Sequence, residues 1–193
     1  MKRIIVGISG ASGVIYGIRL LEVLRELRVE AHLVLSEAAK RNIVIETTVS
    51  VEDVEGLAAK VYSVKDLAAP ISSGSFKMDG MVIVPCTIKT LSGVANSYNE
   101  NLIVRAADVT LKEGRRLIVV VRETPLHRGH LGLMLRVVEM GGVILPPIPA
   151  FYHAPKRIED VIDHAIGKIL DLLGIDHSLY ARWEGIRNKK EDS

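Results

Sequence analysis

A glycine-rich loop near the start of the chain has the residue types that hold a phosphate. Gly10-Ala11-Ser12-Gly13 follows a β-branched apolar run and precedes an amphipathic helical pattern. Such a succession of strand, loop and helix exposes backbone N–H groups at a helix N-terminus, where the helix dipole favours an anion. The loop therefore predicts a phosphate or nucleotide cradle, although a tight turn that binds nothing has the same composition.

The spacing of the glycines narrows the choice of ligand. Gly7, Gly10 and Gly13 lie three residues apart, which matches neither the dinucleotide fingerprint G-x-G-x-x-G nor a Walker A loop. The second predicted strand ends at Ser36, near the position where an NAD enzyme has an acidic residue for the ribose, so an NAD-linked oxidoreductase is disfavoured. Ser12 and Ser36 are candidates for hydrogen bonds to a cofactor, and both are also of the type that caps helices.

Charged residues in two other stretches could do chemistry. Arg122 and Glu123 directly follow an all-apolar run, and a charged pair there is costly to bury unless it is paired or used. They predict either a salt-bridged loop end or a site in which Arg122 binds a flavin or phosphate and Glu123 transfers a proton. Arg105, Asp108 and Lys112 share one helix face, which is typical of a surface ion-pair row and also of cations that face a phosphate.

Other reactive residue types favour no further chemistry. Cys86 is expected to be a small buried apolar residue. His127 and His130 lack a third ligand at a suitable spacing, so no metal site is predicted. Ser12 lies outside a G-x-S-x-G elbow, which argues against a Ser-His-Asp hydrolase.

The elements that must position these groups alternate between strands and helices. Apolar strand-like runs cover residues 2–8, 29–35, 61–64, 81–85, 117–121 and 143–145. Helical patterns cover residues 13–27, 36–46, 51–60, 88–97, 101–114, 127–140 and 158–173. This alternation predicts a single-domain, three-layer α/β fold of the Rossmann or flavodoxin type, with a parallel sheet and helices on both faces. Right-handed crossovers place every βα loop at the carboxyl edge of the sheet, where the chemistry is expected.

Composition limits the classes of function. The 193 residues are 48% hydrophobic and 25% charged, as in a soluble globular protein, and we expect one domain over residues 1–187 with a polar tail over 188–193. A net charge of +2 gives no reason to expect nucleic-acid binding, and no apolar run is long enough to cross a bilayer. The single cysteine and the absence of a signal peptide favour the cytoplasm.

Five separated motifs, taken in order, resemble the flavin prenyltransferases of the UbiX/Pad type. They are Gly10-Ala11-Ser12-Gly13, Pro85-Cys86-Thr87-Ile88-Lys89-Thr90-Leu91, the helix from Asn101 to Glu113, Arg122-Glu123-Thr124-Pro125 and Phe151-Tyr152-His153. The likeness extends over nearly the whole chain. Members of that family were long labelled aromatic acid decarboxylases.

The resemblance implies a single Rossmann-like domain that assembles into a homo-oligomer, typically a dodecamer, with sites at subunit interfaces. It implies transfer of a dimethylallyl group from dimethylallyl phosphate to reduced FMN without a metal. The product, prenylated FMN, would serve a UbiD-type decarboxylase. The sequence leaves open whether the donor is the monophosphate or the diphosphate.

The resemblance also assigns site residues by matching position. The residues implied to bind FMN are Gly10, Ala11, Ser12, Ser36, Thr87, Ile88, Lys89, Thr90 and Arg122. The implied catalytic residues are Ser12, Glu46, Glu123, Lys112 and Arg105, of which Ser12 and Glu46 match the pair that moves protons at flavin N5. Tyr152 and Lys168 match the residues that hold the prenyl phosphate.

The chemistry of the side chains agrees with these assignments. Breaking an allylic C–O bond requires cations and hydrogen bonds around the departing phosphate, which Lys112, Lys168 and Tyr152 would supply. Glu123 can protonate the phosphate or receive the ring proton when the second C–C bond forms. The loop 70–76 and Trp183, from the same subunit or a neighbouring one, would form an apolar wall that keeps water off the allylic cation.

Two positions depart from the family pattern. Leu67-Ala68-Ala69 stands where some members have an aromatic residue, and Lys168 replaces an arginine, which keeps the charge but loses the bidentate fork.

Two alternative functions use the same fold. Flavin-dependent cysteine decarboxylases have a P-A-S-A-N-T motif and a catalytic histidine, but here only Pro85 and Thr90 of that motif remain and the first helix has no histidine. A non-catalytic flavin carrier would not need Glu123, Lys112 and Tyr152, which are expected at one loop edge.

Overall fold

The computed structural model of the chain describes residues 1–183 and residue 185. It contains two compact units, Met1–Pro147 and a second unit that begins at Ile148. The expected domain extent of 1–187 stays a prediction. The expected tail, residues 188–193, lies outside the described residues.

The first unit is built on a six-stranded parallel sheet with the order β3-β2-β1-β4-β5-β6. The strands are β1 (Arg3–Ile8), β2 (Glu30–Leu35), β3 (Lys60–Ser63), β4 (Gly80–Cys86), β5 (Arg116–Val121) and β6 (Val143–Ile144). Each strand end lies within one residue of the run predicted from the sequence. The predicted parallel α/β fold is therefore confirmed.

Continuous apolar runs, rather than alternating ones, define the central strands. β4 is buried at all seven of its residues, and β1, β2 and β5 are buried at five of six. Strands of a parallel sheet are buried on both faces by the crossover helices, so both sets of side chains must be apolar.

Six helices belong to the first unit. They are α1 (Val14–Glu26), α2 (Glu37–Glu46), α3 (Val51–Glu55), α4 (Ile88–Ala95), α5 (Leu102–Lys112) and α6 (Arg128–Glu139). The prediction of a helix over 51–60 was too long, since α3 ends before Gly56 and β3 begins at Lys60. Glycine is a poor helix former, so the short α3 stops where it occurs.

Helices cover both faces of the sheet, as predicted. A Cβ on Gly17 of α1 would lie 2.6 Å from Cδ1 of Ile8, whereas a Cβ on Gly7 would lie 3.1 Å from Cγ2 of Ile103 in α5. Gly7 and Ile8 are successive residues of β1, so their side-chain positions point to opposite faces. α1 therefore packs on one face and α5 on the other.

The loop 70–76 is fastened to the first unit by two arginines. Arg105 donates from Nε to the carbonyl oxygen of Ser72 at 3.2 Å. Arg115 donates to the carbonyl oxygens of Gly74 at 2.6 Å and Phe76 at 3.1 Å. These bonds hold the loop to α5 and to the turn that follows it.

The second unit contains α7 (Ile158–Leu173), which ends at Gly174 in the left-handed conformation with φ 61°. Residues 175–183 follow without helix or strand and are called the C-terminal segment. Within residues 1–183 and 185, no helix combines the length and apolar composition needed to cross a bilayer.

Candidate active site

The carboxyl edge between β1 and β4 is the crevice where sheets of this type bind ligands. The strand order reverses there, because β1 leads outward to β2 on one side and β4 leads to β5 on the other. Buried Ser9 ties the two loops together. Its hydroxyl donates to the carbonyl oxygen of Pro85 at 3.0 Å and accepts from the N–H of Thr87 at 2.8 Å.

The glycine-rich loop lies against α2. A Cβ on Gly10 would be 2.3 Å from Cβ of Ala38, and the carbonyl oxygen of Gly10 accepts from Nδ2 of Asn42 at 3.0 Å. Gly13 has a φ of 95°, which favours glycine. Ser12 is exposed, does not cap α1, and its hydroxyl has no hydrogen-bond partner within the part of the chain that the structure describes. That hydroxyl is therefore available to a ligand.

The N-terminus of α1 already holds an anion that belongs to the chain. Glu46, the last residue of α2, accepts through Oε2 from the N–H groups of Gly13 at 2.8 Å and Val14 at 3.2 Å. This differs from the phosphate expected at that helix end, because a carboxylate satisfies the same N–H groups and the same helix dipole. Ser12 and Glu46 thus lie at one helix end.

Two other helices begin at this edge with serine or threonine caps. The hydroxyls of Ser36 and Thr87 accept backbone N–H groups three residues further on, at 3.0 and 3.1 Å. The N–H groups of Ile88 and Lys89, in the first turn of α4, have no acceptor among the described residues. This helix end can therefore donate hydrogen bonds to an anionic group.

Arg122 and Glu123 lie beside the end of β4. The N–H of Arg122 donates to the carbonyl oxygen of Cys86 at 3.1 Å, and Oε1 of Glu123 accepts from the N–H of Thr124 at 3.0 Å. Both side chains are exposed. Neither forms an ion pair with another described residue, so the salt-bridged loop end is not formed and both charges are open to a ligand.

Arg105 lies in the first half of α5, and Lys112 ends that helix. Nη1 of Arg105 pairs with Oδ2 of Asp108 at 3.1 Å, as expected for an ion-pair row on one face. The ammonium of Lys112 pairs with the carboxylate of Glu113 instead.

Lys112 and Glu123 lie at opposite edges of the sheet. α5 starts at the carboxyl edge, where the N–H of Leu102 donates to the carbonyl oxygen of Val64 just after β3. It ends at the amino edge, where Arg116 begins β5. The sequence-based expectation that both groups share one loop edge is therefore wrong within a single chain, because β5 separates them by about 20 Å.

Cys86 has a structural role, as expected from the sequence. Cys86 is fully buried, and burial raises the pKa of its thiol well above the usual range, which makes the thiolate inaccessible. Within residues 1–183 and 185, no three His, Cys, Asp or Glu side chains lie close enough to hold a metal ion.

The second unit holds Tyr152 and Lys168. The hydroxyl of Tyr152 is 2.8 Å from Nε2 of His164. Burial, with the charges of His153 and Lys168, lowers the pKa of His164, which keeps this ring neutral near pH 7. Nζ of Lys168 is 3.8 Å from Oδ2 of Asp171. Neither His164 nor Asp171 lies in a recognisable motif, so the sequence alone does not indicate them as site residues.

Comparison with known proteins places the chain in a family. Residues 1–170 match the model of the flavoprotein family. The flavin prenyltransferase UbiX of Thauera aromatica is 56% identical over 95% of this chain and 94% of its own length. This chain is a member of the flavin prenyltransferase family. The family prediction made from the five motifs is thus confirmed.

Two solved structures share the fold over nearly the whole chain. AnUbiX (PadA1), in complex with FMN and dimethylallyl pyrophosphate, is 48% identical with a TM-score of 0.95, covering 96% of this chain and 99% of that one. The dodecameric FMN-dependent UbiX-like decarboxylase from Escherichia coli O157:H7 is 47% identical with a TM-score of 0.93, covering 95% and 100%. The peptidyl-cysteine decarboxylase EpiD is only 11% identical with a TM-score of 0.63, which shows a shared fold alone.

Proposed function

We propose that this flavin prenyltransferase transfers a dimethylallyl group from dimethylallyl phosphate to reduced FMN and releases prenylated FMN. The observation that carries the proposal is the full-length match to AnUbiX, whose complex holds FMN and dimethylallyl pyrophosphate. The exposed and unpaired donors at the carboxyl edge support it, because a flavin and an anionic prenyl donor both require such groups.

The crevice offers the hydrogen-bond donors and the positive charge that binding of FMN requires. The free N–H groups of Ile88 and Lys89 would hold the phosphate and ribityl chain. The hydroxyl of Thr87 donates to Oγ1 of Thr90 at 3.0 Å, so Thr87 and Thr90 would line the site as a bonded pair. Arg122 has an unpaired guanidinium that would contact the flavin. When bound, reduced FMN would supply the nucleophile to which the dimethylallyl group is transferred.

Ser12 and Glu46 would move the proton at N5. The two backbone N–H groups that bind the Glu46 carboxylate fix it at the α1 terminus next to the free Ser12 hydroxyl. A hydroxyl between a carboxylate and a ring nitrogen can transfer a proton in either direction.

The prenyl phosphate would be bound by Tyr152, Lys168, Arg105 and Lys112. The C–O bond breaks with both electrons on the phosphate, so cations and hydroxyl donors lower the barrier without a metal. Glu123 would protonate the phosphate or accept the ring proton in the second bond-forming step. The proposal covers both the monophosphate and the diphosphate donor.

We also propose that the site is completed by a second copy of the chain in a homo-oligomer, as in the dodecameric relative. Lys112 and Glu123 lie at opposite edges of one sheet, so both can serve one reaction only if they come from different chains. Co-expression of Lys112→Met with Glu123→Gln tests this, since about one quarter of randomly mixed sites would be intact. Activity as low as that of the separate variants would show that both residues serve a site within one chain.

A UbiD-type decarboxylase as the recipient of the product, and a cytoplasmic location, remain predictions from the sequence. Unbound prenylated FMN in the reaction supernatant would support delivery to such an enzyme.

The decisive experiment is a mass spectrum of the flavin released after anaerobic incubation with reduced FMN and dimethylallyl phosphate. We expect the mass of FMN plus one five-carbon prenyl unit. Unmodified FMN with both the monophosphate and the diphosphate would contradict the proposal and favour a flavin carrier or a decarboxylase.

A further inference from the structure

One carboxylate fastens the C-terminal segment to α7. Asp171 accepts from the hydroxyl of Tyr180 at 2.7 Å and from Nη2 of Arg182 at 2.7 Å, and it lies 3.3 Å from Nε2 of His177. Because Nδ1 of His177 accepts from the N–H of Leu179 at 3.2 Å, its ring proton is on Nε2 and is donated to Asp171. Three side chains of the segment thus contact Asp171, and the N–H of Leu179 fixes the ring of one of them.

The surface of α7 is shaped to receive the segment. Gly167 lies one turn before Asp171, and a Cβ there would be 2.4 Å from Cε1 of Tyr180 and 2.7 Å from Cε1 of His177. The His177 side chain is only 1% exposed. A side chain at position 167 would push both rings away, so this contact depends on glycine.

The fastened segment reaches the side chain that is proposed to bind the prenyl phosphate. The ring of Tyr180 packs on His164 with centroids 4.7 Å apart, and His164 bonds the hydroxyl of Tyr152. Trp183, which follows Arg182, lies edge-on to Tyr152, with ring centroids 6.0 Å apart and planes at 78°. Tyr152 therefore contacts Trp183, which directly follows a partner of Asp171, and His164, on which another partner of Asp171 packs.

We propose that Asp171 is a positioning residue, which holds Trp183 and Tyr152 together as the wall and the hydrogen-bond donor for the prenyl substrate. The substrate part of this inference rests on the proposed function, whereas the fastening itself does not. Lys168, His177, Tyr180 and Arg182 are the titratable and charged groups that face Asp171. Burial alone would raise the pKa of Asp171, but hydrogen bonds from Arg182 and Tyr180 lower it to about 2, so the carboxylate is charged at all working pH values.

The only tryptophan of the chain, Trp183, makes the fastening measurable without substrate. We expect Asp171→Asn, in the flavin-free full-length chain, to lower the anisotropy of Trp183 and to raise its acrylamide quenching constant roughly two-fold. Asp171→Glu should restore most of the difference. Glu159→Gln, which removes an exposed carboxylate from the first turn of the same helix, is the matched control and should leave both signals unchanged.

The same variants separate positioning from overall damage in the enzyme assay. Asp171→Asn should raise KM for the prenyl donor several-fold while FMN affinity stays within about two-fold of the wild type. If Asp171→Asn does not fold, Tyr180→Phe, which removes one of the hydrogen bonds to Asp171, should give a smaller shift in the same direction.

Three outcomes would count against different parts of the proposal. Wild-type fluorescence in a folded Asp171→Asn protein would overturn the fastening. Altered fluorescence with an unchanged KM would overturn the substrate role, and absence of any prenylated flavin in the wild type would instead refute the proposed function.

Discussion

Replacing Gly10 by alanine tests whether the glycine-rich loop must contact α2 directly. The new Cβ would lie 2.3 Å from Cβ of Ala38 and 3.3 Å from its backbone carbons. Carbon atoms pack at about 3.5–4.0 Å, so the loop and the helix must separate by about 1 Å. Overpacking of this kind costs about 1–3 kcal/mol, and we expect the free energy of unfolding to fall by about 2 kcal/mol. The hydrogen bond from Asn42 to Gly10 would lengthen, and FMN affinity should fall as well.

A compensating substitution identifies the cause. The φ of Gly10 lies outside the left-handed region, so alanine is excluded by the neighbour and not by the backbone. Ala38→Gly removes the opposing methyl group, and the double variant should recover most of the lost stability. The remaining deficit should be the cost of glycine near the start of α2, about 0.5–1 kcal/mol.

Urea unfolding followed by far-UV circular dichroism measures all four proteins at one protein concentration. The double-mutant cycle should give a coupling energy of about 1 kcal/mol or more. Gly132→Ala in α6 is the control, because a Cβ there meets nothing within 4 Å, and it should stabilise the protein by up to about 1 kcal/mol. A Gly10→Ala protein as stable as the wild type, or one that Ala38→Gly does not rescue, would refute the reasoning.

Three further outcomes are expected. Glu123→Gln should bind FMN normally but lower the rate of product formation by about 10²-fold or more, because a proton-transfer group is lost while the flavin contacts stay; full activity in single-turnover assays would remove Glu123 from the mechanism. Tyr152→Phe should weaken use of the prenyl donor by about ten-fold and FMN binding much less, as measured by KM and by flavin titration; equal losses would contradict its assignment to the donor. The pKa of Asp171 is lowered to about 2 in the folded protein. The stability that the ionised carboxylate contributes is therefore present above its unfolded pKa and is lost as the pH falls from about 4 toward 2. An acid titration followed by Trp183 anisotropy should show this loss in the wild type and not in Asp171→Asn.

The fold could be predicted from the sequence because its apolar runs, its alternation of strands with helices and its helix caps all depend on residues close together in the chain. Apolar runs such as Met81-Val82-Ile83-Val84 are typical of strands that are buried on both faces in the interior of a parallel sheet. Alternation with amphipathic helices then fixes the crossovers and the carboxyl edge. Ser36 as a helix cap followed from residue type alone.

Long-range hydrogen bonds account for what the sequence did not predict. The family resemblance paired Glu46 with Ser12, but no spacing rule predicts the hydrogen bond between Glu46 and Gly13, which are 33 positions apart. No motif singles out Asp171 in the sequence, since its partners come from an irregular segment. The location of Lys112 at the amino edge follows from the length and direction of α5, which become definite only when the helix is placed on the sheet.

The length of strand β5 affects how the enzyme activity responds to dilution of the protein and to the co-expression of two different variants of the chain. If the site spans two copies of the chain, as proposed, each chain contributes Glu123 to one site and Lys112 to another, because these residues lie at opposite edges of its sheet. In the proposed assembly, specific activity therefore falls once the protein is diluted below its dissociation constant. In a cell that expresses two alleles, a defective subunit would inactivate sites that it shares with wild-type subunits. Two alleles with different defects would partly complement each other.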